Sequence, residues 1–185
     1  MKFENYTRDE LEKCGKAFQA EFANLGFESV RDWTQAVFEW FSKTRADGVR
    51  VFCHPHDSEF LVDLCHTTYP EHDKPNETKS ERWKRALDEN RCKVQLAMEC
   101  EWGRFNNENE SLFMILEDAW KLAVIRAKVK VMIFSSQAGR DRDEITKRLG
   151  QLHYSSEDVV DWLWIDVPWR VKITGIDWGL LPVGR

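Results

Sequence analysis

From residue 93 to about 153 the chain alternates between two hydrophobic periods. This constrains its fold more than any other feature. "KVQLAMECE" (93–101) has strand character, and a long helical stretch runs from about 110 to 127. "VKVMIFS" (129–135) is a strongly apolar strand, and another helical stretch covers roughly 140–153. Strands separated by helices of this length lie side by side in a sheet that the helices then cover, which is the α/β class. Upstream, "VRVFCH" (49–54) and "EFLVDLCH" (59–66) flank "PHDS" and predict a hairpin. Two amphipathic helices precede it. One opens on a capping box formed by Thr7 and Glu10, keeps Leu11, Phe18, Phe22 and Leu25 near one face, and stops before Gly26. The other opens at "SVRD" (29–32) and carries Trp33, Val37, Trp40 and Phe41 to about Ser42. "PEHDKPNETKS" (70–80) reads as a loop and "ERWKRALDEN" as a short helix, while 158–167 and 170–179 close the chain as strands. The predicted order is α-α-β-β-α-β-α-β-α-β-β in a single domain over 1–185: a mixed central sheet flanked by helices.

At 185 residues, with 42% hydrophobic and 32% charged side chains, the chain can bury a real core. No run approaches the ~20 apolar residues of a membrane span, and the N-terminus lacks a signal-peptide apolar region, so a cytoplasmic address is expected. The five cysteines are scattered without CxxC spacing and read as free thiols. A net charge of −5 argues mildly against binding driven by electrostatics alone. Between 121 and 150, however, eight bases face three acids. Arg126, Lys128, Arg140 and Arg142 in this stretch are candidates for tracking a phosphate backbone, although a solvated helix face has the same composition.

The acids carry the chemical signal. On the strand 93–101, alternation puts Gln95, Ala97, Glu99 and Glu101 on one face and Val94, Leu96, Met98 and Cys100 on the other. Asp63 interrupts the apolar "FLVDLC". A carboxylate buried alone is costly, so Asp63 calls for a partner, a proton or a cation. If the two strands are neighbours, Asp63, Glu99 and Glu101 converge, and an all-oxygen cluster of this kind suits Mg²⁺ or Mn²⁺. The competing expectation is a solvated strand face for the two glutamates and a turn-capping role for Asp63.

An aspartate near the end of a hairpin strand, an acid-x-acid pair on the next strand, then a long helix and an apolar strand: this series resembles the PD-(D/E)XK nuclease superfamily. The resemblance covers roughly residues 29–135, with 1–28 as an N-terminal helix and 136–185 as a C-terminal helix and strands. It implies a restriction-endonuclease-like αβββαβ core. It also implies that Asp63 is the metal-binding aspartate, Glu99 the acid of the E-x-K half-motif, and Glu101 the occupant of the lysine's place. Val62 stands where the family usually has proline. Some members carry the lysine on the following helix, which makes Lys121 a candidate. The implied activity is Mg²⁺- or Mn²⁺-dependent phosphodiester hydrolysis of nucleic acid, with DNA the expected polymer. Glu101 would complete the metal shell or act as general base, and a homodimer is compatible with such an enzyme. The alternative is a catalytically inactive member that binds nucleic acid or protein.

Other motifs carry less. "CHPH" (53–56) and "CH" (65–66) suggest zinc, but a tight hairpin would pair Cys53 with about Phe60 and leave Cys65 on the order of 15 Å away. Trp162 and Trp164 share a strand face and suit a core, a dimer interface or base stacking. Glu39 on the second helix is either a metal-assisting acid, as in some members of the resembling family, or a surface glutamate. A carboxylate-pair glycosidase is a third class, but nothing in the sequence resembles a carbohydrate groove. No Gly-rich phosphate loop, nucleophile elbow or nicotinamide fingerprint is present.

Overall fold

The computed structural model describes residues 1–25, 27, 29–53, 62–68, 78, 81, 84–85, 93–102, 108–136, 142–155, 160–167 and 175–181. In chain order the elements are α1 (Arg8–Phe22), α2 (Val30–Lys43), β1 (Val49–Cys53), β2 (Leu64–Thr68), β3 (Lys93–Glu101), α3 (Glu108–Val124), β4 (Ala127–Phe134), α4 (Arg142–Ser155), β5 (Asp161–Asp166) and β6 (Asp177–Leu180). The six strands form one sheet in sequence order. β1, β2 and β3 are an antiparallel meander, β3, β4 and β5 run parallel, and β6 returns antiparallel.

This topology follows from the connections. A parallel pair needs a crossover, and α3 and α4 supply the two crossovers β3-α3-β4 and β4-α4-β5. Both step the same way along the sheet, so the right-handed rule puts both helices over one face. α1 and α2 cover the other face. Thr7 caps α1 with its Glu10 capping box, and Ser29 caps α2, as the spacing predicts.

Each face has its own core. Under α1 and α2, Phe18, Phe22, Trp33 and Phe41 pack on Leu64, Met98, Val131 and Leu163. Under α3 and α4, Ile115, Ala119, Leu122 and Leu149 pack on Ala97, Met132, Phe134 and Trp162. β4 is buried on both sides, which explains its nearly unbroken apolar run. Trp162 is a core residue and Trp164 is half-buried against the same cluster, so this aromatic pair serves packing. Gly15 lets α1 approach β6: a Cβ there would lie 2.5 Å from the Trp178 ring.

The structure corrects the predicted hairpin. β2 begins at Leu64, not at residue 59, and Cys53 pairs with Leu64 rather than with about Phe60. Asp63 therefore lies in the bend just before the strand. The apolar period extended the strand too far because Val62 is buried without belonging to it. Cys65 sits opposite Phe52, next to Cys53 along the ladder, so the predicted 15 Å separation is wrong. The two thiols still diverge: Cys53 packs in the α1/α2 core and Cys65 in the α3/α4 core. The closing strands are shorter than predicted, at Asp161–Asp166 and Asp177–Leu180. The turn at 55–58, the loop at 70–77 and 79–80, the link 103–107 and most of the short helix at 81–90 lie outside the described residues.

Candidate functional site

The carboxyl ends of β3, β4 and β5 lie along one edge of the sheet, where open α/β sheets place their ligands. Because β2 is antiparallel to β3, its beginning lies at that edge too, and Leu64 pairs with Met98. Asp63 thus arrives beside the end of β3, and its Oδ2 accepts a hydrogen bond from the Cys100 N–H at 2.9 Å. Glu99 shares a face with Ala97, which packs beneath α3, and its carboxyl hydrogen-bonds that of Asp63. The alternation predicted along 93–101 puts Glu99 on this face, and the bend before β2, rather than a strand position, brings Asp63 to it.

α3 lies over this pair. Its Ile115, Ala119 and Leu122 enter the core, which turns Asp118 and Lys121 toward one flank. Lys121 Nζ donates to Asp118 Oδ1 at 2.5 Å and lies 3.9 Å from Glu99 Oε1. Glu99 is 1% exposed, and its Oε1 accepts no hydrogen bond from any described residue. Most buried polar atoms have a partner, so this oxygen is the anomaly of the site.

The electrostatics follow from burial and crowding. Desolvation, with repulsion from Asp63 and Asp118, pushes the Glu99 carboxyl up to about 10; Lys121 offsets only part of this. Burial also raises Asp63, while the Cys100 N–H and the bond to Glu99 pull it back. Glu99 therefore keeps a proton at neutral pH and donates it to Asp63. Desolvation would lower Lys121, but the Asp118 hydrogen bond and Glu99 hold its ammonium above the usual lysine range.

The other predicted residues scatter. Glu101 ends β3 on the same face as Glu99 and is half-buried. Arg126 and Lys128 are exposed at the opposite end of β4. Met132 pairs with Glu99, which puts Lys128 about 13 Å away along the strand. Arg142 is bound into ion pairs with Asp166 at 2.7 Å and Asp177 at 2.6 Å. Arg140, His54 and His56 lie outside the described residues. Glu39 is exposed on α2, bonded to Gln35, over the other face of the sheet.

His66 leaves no ring nitrogen for a metal. Its Nδ1 accepts from the Tyr6 hydroxyl at 3.1 Å, and its Nε2–H donates to the Phe41 carbonyl at 3.0 Å. Tyr6 in turn accepts from the Ala46 N–H, so this chain fixes the tautomer. Burial pushes the imidazole down to about 4, which keeps it neutral.

Two acidic residues escaped the sequence reading. Asp118 is the third carboxylate beside Glu99, and its only signal was its place three residues before Lys121 on a helix that also carries Glu117. Asp166, 0% exposed at the end of β5, accepts from the Ser136 N–H at 2.8 Å, the Ser136 hydroxyl and Arg142 Nε–H. Among the described residues no three carboxylate, imidazole or thiol groups are placed to enclose a metal ion. The site offers two adjoining acids and one unsatisfied oxygen. That donor set fits a hard cation, because Mg²⁺ binds through one or two carboxylates and leaves its other positions to water and substrate phosphate. Comparison with known families, curated proteins and solved structures gives no match for this chain.

Proposed function

We infer that the chain is a Mg²⁺- or Mn²⁺-dependent phosphodiesterase acting on nucleic acid, with Asp63 and Glu99 as the metal-holding acids. The observation that carries this reading is Glu99: a fully buried carboxyl, set against a second acid, with an oxygen that no described donor satisfies. Folding that leaves a buried acid so poorly satisfied is costly, and such groups gather where a ligand completes them. The element order α2-β1-β2-β3-α3-β4 among the described residues supports the reading, since it follows the αβββαβ order of the nucleases this sequence resembles.

Within this reading, a bound divalent ion would polarise the scissile phosphodiester and acidify the attacking water. Asp63 and Glu99 would hold the ion, with Asp63 pinned by the Cys100 N–H and Glu99 carried on β3. Lys121, 3.9 Å from Glu99 Oε1, supplies from α3 the ammonium that the lysine position of β3 lacks, and would stabilise charge on the phosphate. Glu101, the last residue of β3 and on the same face as Glu99, would take the proton from water.

The test is cleavage of plasmid and of labelled single- and double-stranded oligonucleotides. Cutting that requires Mg²⁺ or Mn²⁺ and falls at least about 1000-fold in Glu99→Gln is the expected result. Protein that binds nucleic acid without cutting it under any of these conditions supports the inactive-binder alternative and removes the enzymatic reading.

A further inference from the structure

Lys121 stands between two acids but treats them differently. At 2.5 Å from Asp118 it makes a hydrogen bond; at 3.9 Å from Glu99 Oε1 it is too far to make one. The Glu99 oxygen it approaches is the one without a hydrogen-bond partner among the described residues. Asp63, on the other side of the pair, is held by the Cys100 N–H and faces Glu99. The ammonium therefore occupies the neighbourhood in which a cation would be most favourable. Two positive charges cannot share that position without strong repulsion in a partly dry site.

We propose that Lys121 is the resident counter-cation of the Asp63–Glu99 pair, that it competes with a divalent ion for Glu99, and that Asp118 is the positioning residue that receives the lysine when the ion enters. This inference rests on the divalent-ion reading given above. Asp118 suits the role because it lies three residues before Lys121, where helix geometry makes the two side chains neighbours. Lys121 is 33% exposed, so its head has room to swing off Glu99 without leaving Asp118. The ammonium would then stay with Asp118, beside the ion rather than on it.

The experiment is Mn²⁺ binding alone, without nucleic acid, measured by calorimetry on the full chain and on four variants. Lys121→Gln removes the competitor and is expected to tighten Mn²⁺ about tenfold, whereas Lys121→Arg keeps the charge and stays near wild type. Asp118→Asn frees the lysine to settle on Glu99 and is expected to weaken Mn²⁺ about tenfold. In the double variant, Lys121→Gln with Asp118→Asn, the Asp118 substitution costs much less, because there is no lysine left to release. Where Lys121→Gln loses helical signal, Lys121→Met replaces it. Wild type that binds Mn²⁺ with no tightening in Lys121→Gln overturns the competition and leaves the metal reading standing. An equal loss from Asp118→Asn in both backgrounds makes Asp118 a direct ligand and overturns its anchoring role. Failure of every form to bind millimolar Mn²⁺ overturns this inference and the metal reading together.

Discussion

Asp166 and Glu99 occupy comparable positions in very different electrostatic states. Both sit near the carboxyl ends of parallel strands, on the α3/α4 face of the sheet, and both are withdrawn from solvent. Asp166 is saturated: one oxygen receives the Ser136 N–H and the other receives the Ser136 hydroxyl and Arg142. Glu99 has an oxygen with no hydrogen bond from the described residues, two neighbouring acids that repel it, and a lysine just beyond bonding distance. Burial of an acid is thus no mark of function by itself. An acid whose donors are supplied by its own fold closes a joint in the structure; an acid left short of donors is ready for something that arrives later.

The contrast can be broken from the Asp166 side first. Removing Arg142 strands a buried carboxylate, so Arg142→Met is expected to lose about 2–4 kcal/mol, lowering Tm by roughly 10 °C in thermal melts. The remaining Ser136 donors keep the loss below that of a wholly unpaired charge. A change under about 1 kcal/mol would show that the Asp166 cluster is not the structural joint described.

The opposite face offers a group that is fully partnered yet still titrates. His66 has a folded pKa near 4, below its ordinary value of 6.5, because burial disfavours the imidazolium. The unfolded chain therefore binds more protons between these values. Stability is complete above about pH 6.5 and falls as pH drops toward 4, by about 3 kcal/mol in total. Denaturant titrations across that window measure the loss, and His66→Gln is expected to remove its pH-dependent part. An unchanged slope in His66→Gln assigns the acid sensitivity to other groups.

The sheet and the layers around it were legible because they rest on periods that tertiary context rarely overrides. β3 kept its predicted bounds, and the alternation along it put Glu99 and Glu101 on one face. The capping residues Thr7 and Ser29 opened both N-terminal helices where expected. The start of β2 was not legible, since Val62 is buried through the α3/α4 core and reads like a strand residue. In the site, Asp63 and Glu99 could be paired because each interrupts an apolar run. Asp118 could not, because an acid three residues from a lysine reads as an ordinary surface pair until α3 is laid on the sheet. Arg142 looked like part of a basic face, and its acidic partners, 24 and 35 residues away in sequence, became visible only in three dimensions.

The smallest expected effect is the most direct test, because its sign separates the two acids. Glu99→Gln keeps a donor for Asp63 while removing a carboxyl that folding forces to hold its proton. Without metal, its melting point is therefore expected to exceed that of wild type by a few degrees, about 1–2 kcal/mol. The decisive measurement is the melting of wild type and Glu99→Gln without Mg²⁺ and at about 10 mM Mg²⁺, where an ion bound only to the folded state raises stability by mass action. The account predicts that Mg²⁺ raises the wild-type melting point and leaves Glu99→Gln where it was. A Glu99→Gln protein that melts as far below wild type as Arg142→Met does, or one that Mg²⁺ stabilises as much as wild type, would contradict it.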